Sequence, residues 1–251
     1  EAFRLWITAE PHPKFPIGLL QLSIKFTNEA PAGIMAGVKN SYNWLNQDVL
    51  DSVTDPKWKT MLFALAFMHT IVQERRKFGP LGFNILYEFS QADLSACVTY
   101  MQNHLNMMET KKRPVDWITV NYMVCDVQYG GKITDDFDRR LFNTYGKSWL
   151  TEKCLAADFK FVGNNETYYI PPVNPDIEVY RKYIEQLPLV DDPEVFGLHA
   201  NADLAYRTAQ TKTTLGTIQD IQPKEGGGGG GLTREEIVLK MVEDLQGKLP
   251  P

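Results

Sequence analysis

Residues 55–80, DPKWKTMLFALAFMHTIVQERRKFGP, decide how the rest of this chain reads. Asp55 is a good N-cap type, and Pro56 suits the first helical position, where a missing N–H costs nothing. Trp58, Leu62, Leu65 and Val72 form a stripe at helical spacing, and Met61, Phe63, Phe67 and Ile71 fill the adjacent faces. A helix that is apolar on most sides packs between neighbours rather than lying on a surface. Gly79-Pro80 stops it near Phe78, and Lys77 suits the negative end of the helix dipole. The apolar block Met61–Met68 is far shorter than the ~20 residues a membrane span needs. It reads as a core helix, and no membrane partner is expected.

Outward from this helix the pattern stays helical. Upstream, Val38, Tyr42 and Leu45 share a stripe. Downstream, Ser90-Gln91-Ala92-Asp93 reads as a capping box, followed by a helix through Leu94, Val98, Met101 and Leu105. Lys111-Lys112-Arg113-Pro114 is a solvated turn. Trp117–Val127 reads as the next helix, closed by Gly130-Gly131. Asp135–Trp149 reads as another, with Asp135, Asp136 and Asp138 at its positive end. Phe159–Ile170 alternates weakly around Gly163-Asn164-Asn165, a plausible hairpin. Shorter helices are expected at Asp176–Gln186 and Asp203–Ile221. Six of the 18 glycines form the run Gly226–Gly231, read as a linker because such runs carry maximal backbone entropy. Thr233-Arg234-Glu235-Glu236 then reads as a capping box, opening a helix with Ile237, Met241, Leu245 and Leu249 on a buried face.

The first 30 residues look different. Phe3, Leu5 and Ile7 alternate with Arg4 and Trp6, and Leu22, Ile24 and Phe26 alternate with Ser23, Lys25 and Thr27. Both read as strands, with a short helix over Ile17–Gln21 between them. Two strands make no stable sheet alone, and the first residue is Glu1 rather than Met. The sequence is therefore expected to be a piece of something longer. The fold class expected is mainly α: a helical bundle with a few strands from an incomplete α/β subdomain and a short hairpin.

Composition narrows the chemistry. The net charge is −5, which does not favour a surface that tracks nucleic-acid phosphates. Cys97, Cys125 and Cys154 lie far apart, and the four histidines are scattered, so neither a disulfide framework nor zinc spacing emerges. No G-x-x-x-x-G-K-[ST] phosphate loop occurs, and the acids between Asp126 and Asp138 miss the calcium-loop spacing. Glu74, Arg75 and Arg76 end the most buried helix. An arginine there could reach a nucleotide phosphate on a neighbouring module, or it could anchor a packed loop. His69, one turn earlier, reads as a satisfied core histidine. No catalytic, cofactor-binding or metal-ligating residue is expected.

Several long strings resemble one family. Phe3-Arg4-Leu5-Trp6-Ile7-Thr8-Ala9-Glu10-Pro11, Phe15-Pro16-Ile17, Leu19-Leu20-Gln21 and Ile24-Lys25-Phe26-Thr27-Asn28-Glu29 resemble the end of the sixth AAA+ module of dynein heavy chains. Gln73–Gly82, Tyr87-Glu88-Phe89, Gln128–Leu141 and Pro193–His199 with Asn201-Ala202-Asp203 continue the match in order. It covers essentially all 251 residues. The Glu194-Val195-Phe196-Gly197-Leu198-His199 string and the glycine run resemble axonemal dyneins, and the Thr233–Val238 ending resembles an outer-arm heavy chain of the gamma type.

The resemblance implies a layout. Residues 1–40 would end the sixth module's large subdomain. Residues 41–150 would be its helical lid. Residues 151–251 would begin the C-terminal domain, with the linker at 226–231. It implies a structural and mechanical part of an axonemal motor ring, in the cytoplasm and the axoneme of cilia and flagella, without its own nucleotide site. ATP and Mg would serve the parent motor ATPase. The adjacent AAA+ modules would be direct partners, and microtubules and other dynein chains would be partners through the parent. Glu74, Arg75, Arg76, Arg139 and Arg140 are the candidate inter-module contacts, because charges there end heavily apolar helices. Two rival readings are an independent nucleotide-binding domain and a module docking an accessory chain through residues 232–249.

Overall fold

The structure is a computed structural model that describes residues 3–8, 15–24, 32–163, 165–221 and 238–242. The helices are α1 Ile17–Leu22, α2 Ile34–Trp44, α3 Gln47–Leu50, α4 Lys57–Glu74, α5 Gln91–Thr110, α6 Trp117–Asn121, α7 Asp136–Trp149, α8 Ile177–Ile184 and α9 Ala200–Ile221. The class is mainly α, as the helical periodicity predicts. The chain divides into two compact units, Glu1–Asp203 and Leu204–Pro251.

In the first unit α4 is the central pillar. Every residue from Met61 to Val72 is buried. The amide N–H of Lys57 donates to Asp55 Oδ1 at 2.9 Å, so the aspartate caps the helix as its type predicts. α2, α5 and α7 pack around α4. The capping box at Ser90 and Asp93 starts α5. Asp135 starts α7, accepting from the amides of Phe137 and Asp138, and Asp176 starts α8 through Glu178 N. Each short acid satisfies helix-end donors that would otherwise be orphaned.

One face of α4 is aromatic. Phe67 stacks on Phe161 with centroids 3.9 Å apart, and Trp149 meets both rings edge-on. Phe63 adds Tyr42, Tyr180 and Tyr183. The segment after Trp149 thereby shares the core of the helices before it. The expected hairpin reduces to one antiparallel bridge, Lys160 with Tyr169; Trp149 donates its indole N–H to Phe161 O at 3.0 Å beside it.

Three local expectations need correction. Phe3–Ile7 forms no strand; Phe3, Leu5 and Trp6 stand 71–82% exposed with no pairing edge beside them among the described residues. Leu22 closes α1, and Ile24 is unpaired and exposed, so the second strand does not form over its described part; its remainder lies outside the described residues. The expected Trp117–Val127 helix is α only to Asn121. Tyr122–Gln128 is a π-helical turn, with Tyr129 N donating to Val124 O five residues back.

In the second unit the part of α9 from Leu204 is polar around most of its girth. Thr208, Thr211, Thr213, Thr214 and Thr217 each donate to the carbonyl four residues back. Residues 238–242 are helical. Val238, Leu239, Met241 and Val242 are all exposed, so the expected buried face is not buried there. The linker 226–231 and the capping box 233–236 lie outside the described residues.

Candidate functional site

The candidate contact residues Glu74, Arg75 and Arg76 on one side and Arg139 and Arg140 on the other belong to stretches joined through residues 84–88, all in the first unit. α4 gives way after Glu74 to a tighter 3-10 stretch, Arg75–Leu81, broken by Gly79 at φ 56°. That left-handed conformation suits glycine, which has no Cβ to clash. The chain then runs as loop 83–89 along the start of α7. There Asp138, buried despite its charge, accepts from the backbone amides of Asn84 (2.9 Å) and Ile85 (3.2 Å). Asn84 Nδ2 donates to Asp135 at 3.2 Å, and Asp135 N donates to Tyr87 Oη at 3.1 Å. The acids clustered at 135–138 thus hold a neighbouring loop as well as their own helix.

This stitching leaves an apolar surface: Leu81, Ile85, Leu86 and Phe137 are all exposed, Phe137 by 70%. The Arg140 guanidinium sits 5.9 Å from the Phe137 ring centre. Arg139 is exposed and donates to Ile133 O at 2.8 Å. Arg76 is exposed and reaches Glu88 at only 3.9 Å, a pair that contributes little in water. Exposed apolar side chains with a basic rim are what a protein contact surface needs.

Arg75 and Glu74 go elsewhere. Arg75 is 2% exposed. Its Nε and Nη2 donate to Gly82 O at 2.9 and 2.6 Å, and Nη1 donates to Tyr145 Oη at 2.8 Å and to Phe196 O. Its partners are carbonyls and a hydroxyl; among the described residues it forms no ion pair. Loop anchoring is the role this geometry supports, through neutral acceptors rather than salt bridges. Glu74 pairs with Lys77 at 3.3 Å, and Lys77 reaches Asp191 at 3.2 Å.

The buried titratable groups are held inert. Burial, opposed by Asp93 and aided by Lys132, lowers the His69 pKa to about 4. His69 Nδ1 lies 2.7 Å from Tyr129 Oη. Burial pushes the Cys125 and Cys154 thiols up to about 12 and raises that of Cys97 as well. A thiol so shifted is no nucleophile at neutral pH. No three His, Cys, Asp or Glu side chains among the described residues are grouped to hold a metal. Arg75, the side chain the sequence offers for a phosphate, is spent on its own backbone.

Residues 58–202 match the family described as Dynein heavy chain AAA lid domain. The chain belongs to that family. The match runs from α4 to the first turn of α9, so it takes in the Trp149–Phe161 core and the Pro193–Phe196 turn that Arg75 contacts. The dynein resemblance of the quoted strings is borne out over the full length. The chain is 53% identical over 251 residues to "Dynein axonemal heavy chain 8" of Homo sapiens, covering 100% of this chain and 6% of that protein. It is 50% identical over 256 residues to "Dynein gamma chain, flagellar outer arm" of Chlamydomonas reinhardtii, covering 100% and 6%. It is 51% identical over 250 residues to "Dynein axonemal heavy chain 5" of Mus musculus, covering 100% and 5%. The chain therefore spans only about a twentieth of the length of these relatives.

Sequence reasoning found the basic groups of this surface but missed its apolar part. Leu81, Ile85, Leu86 and Phe137 belong to no periodic run, and only the Asp138 bridge brings the Ile85 stretch to the Phe137 end of α7. The inward turn of Arg75 had one faint signal, its place at the end of a helix that is buried all round.

Proposed function

We propose that this dynein lid is a structural and mechanical part of an axonemal dynein motor ring. It supports ATP-driven microtubule sliding in cilia and flagella while ATP and Mg are bound elsewhere in the heavy chain. In this reading residues 1–40 end the sixth AAA+ module's large subdomain, 41–150 are its lid, and 151–251 begin the C-terminal domain. The carrying observation is that Leu81, Ile85, Leu86 and Phe137 are exposed on the two stretches that Asp138 ties together, with Arg140 against Phe137 and with Arg76 and Arg139 also exposed. An adjacent AAA+ module of the same heavy chain meets that surface, and microtubules and other dynein chains are partners of the parent. The axoneme is the site of action.

The test is the paired substitution Leu86→Asp and Phe137→Asp in the motor. Both side chains are exposed, so the fold is retained. Loss of most microtubule gliding velocity with unchanged helical content is expected. Gliding at the unsubstituted rate overturns the reading.

A further inference from the structure

The turn Pro193–Phe196 is followed by Gly197 in the left-handed region, φ 62°. Two donors converge on its last carbonyl: Arg75 Nη1 and the Tyr145 hydroxyl, the latter at 2.8 Å, both reach Phe196 O. Those groups also touch each other, Arg75 Nη1 to Tyr145 Oη at 2.8 Å. The other edge of the guanidinium grips Gly82 O and reaches Leu81 O at 3.3 Å. Three stretches far apart in sequence thus meet at one planar cation: the 3-10 stretch after α4, the middle of α7, and the turn at 193–197. Around it, Lys77 Nζ sits 4.7 Å from the Phe196 ring centre, and Phe78 packs on Phe196 at 5.2 Å. Asp191 and Asp192, just before the turn, bind Lys77 and Asn165.

We infer that Arg75 is a latch that fastens the 193–197 turn to the end of α4 and to α7. Lifting the turn would strip the Phe196 acceptor from two buried donors at once, and a buried donor left without its acceptor is costly, more so on a charged group. The turn therefore stays down or leaves completely. Arginine suits the position because its rigid fork carries five donors in one plane. A lysine offers three donors at one point and cannot hold Gly82 O and Phe196 O together. Burial keeps the Tyr145 hydroxyl protonated, so it goes on donating. This deepens the mechanical reading proposed above: a latched turn makes residues up to 197 follow α4 and α7 as one body.

Hydrogen–deuterium exchange on a motor containing this chain tests the latch without reference to motility. Arg75→Lys should raise exchange in 193–198 by at least about tenfold while the core of α4 keeps its protection. Tyr145→Phe, which removes one hydroxyl and leaves the packing, should give a smaller rise in the same peptide. Wild-type protection of 193–198 in Arg75→Lys overturns the latch. If Arg75→Lys loosens α4 and α5 equally, Tyr145→Phe decides: a rise confined to 193–198 supports the latch, and no rise there overturns it. A failed gliding test of the Leu86 and Phe137 surface would leave these exchange outcomes untouched, so the two readings fail separately.

Discussion

Asp191 caps α2 at Ile34, across 157 residues of chain. Both carboxylate oxygens accept from the Ile34 amide, at 3.2 and 3.3 Å, and the same carboxylate takes Lys77 Nζ at 3.2 Å. One side chain, 5% exposed, thereby joins the start of the helical core to the segment before the 193–197 turn. Asp191→Ala should destabilise the fold by about 1–3 kcal/mol, since it removes a cap and an ionic hydrogen bond together. Asp191→Asn should recover part of that, because asparagine still caps but cannot pair with Lys77. Urea unfolding of the two variants beside the parent chain separates the contributions; equal losses would show that the cap contributes nothing.

Gly82 makes a close approach rather than a special turn. Its φ of −78° is ordinary, but a Cβ there would fall on the carbonyl oxygen of Arg75. Backbone cannot yield as a side chain can. Gly82→Ala should cost more than about 2 kcal/mol, whereas Gly131→Ala, with open space around it, should stay within about 0.5 kcal/mol. Thermal melts of both variants check the contrast.

Gly146 lies inside α7 against Cys125. A Cβ added there meets the Cys125 sulfur, and Asn121 Oδ1 at 2.8 Å. Gly146→Ala should therefore destabilise, although alanine is otherwise the better helix former by about 1 kcal/mol. In a Cys125→Ala background the clash with sulfur is gone and only the Asn121 contact remains, so the same change should cost less. The expected coupling, about 1–3 kcal/mol, is read from a double-mutant cycle; strict additivity would refute the contact.

His69 makes stability depend on pH. Its folded pKa, lowered to about 4 chiefly by burial, lies below the unfolded value near 6.5. Between those values the unfolded chain binds the extra proton, so stability rises with pH across that window and is lost as pH falls from 6.5 towards 4. The contribution is on the order of 3 kcal/mol. His69→Gln keeps an acceptor for Tyr129 and removes the titration. Unfolding free energies at pH 4.5 and 7 should differ less in the variant than in the parent chain.

The legible parts of the fold were those fixed by local chemistry. Asp55, Ser90 with Asp93, Asp135 and Asp176 mark helix starts because a short polar side chain satisfies nearby amides, and the structure places helices behind each. α4 was legible because no other element tolerates apolar residues on all sides at that spacing. The candidate surface was legible only as charges. Arg76, Arg139 and Arg140 stand exposed there, but Arg75 shares their chemistry and is buried by partners 70 and 121 residues away. Strand alternation at Phe3–Ile7 misled because alternation describes a half-buried strand only when a sheet exists for it to join.

The π turn at Tyr122–Gln128 has a consequence for numbering along the helix. Taking in one extra residue advances the chain by one position without a matching advance in rotation, so the residues after it are set about 100° out of phase with α6. Tyr129 and Gly130 face the interior only because of that offset, with Gly130 closed against the Cys125 carbonyl. Removing one residue from 122–128 would let the backbone run on as ordinary helix. It would leave the Tyr129 ring facing His69, because the lost residue and the lost offset cancel, so the π turn is where this segment holds one residue more than a regular helix without changing the face that follows.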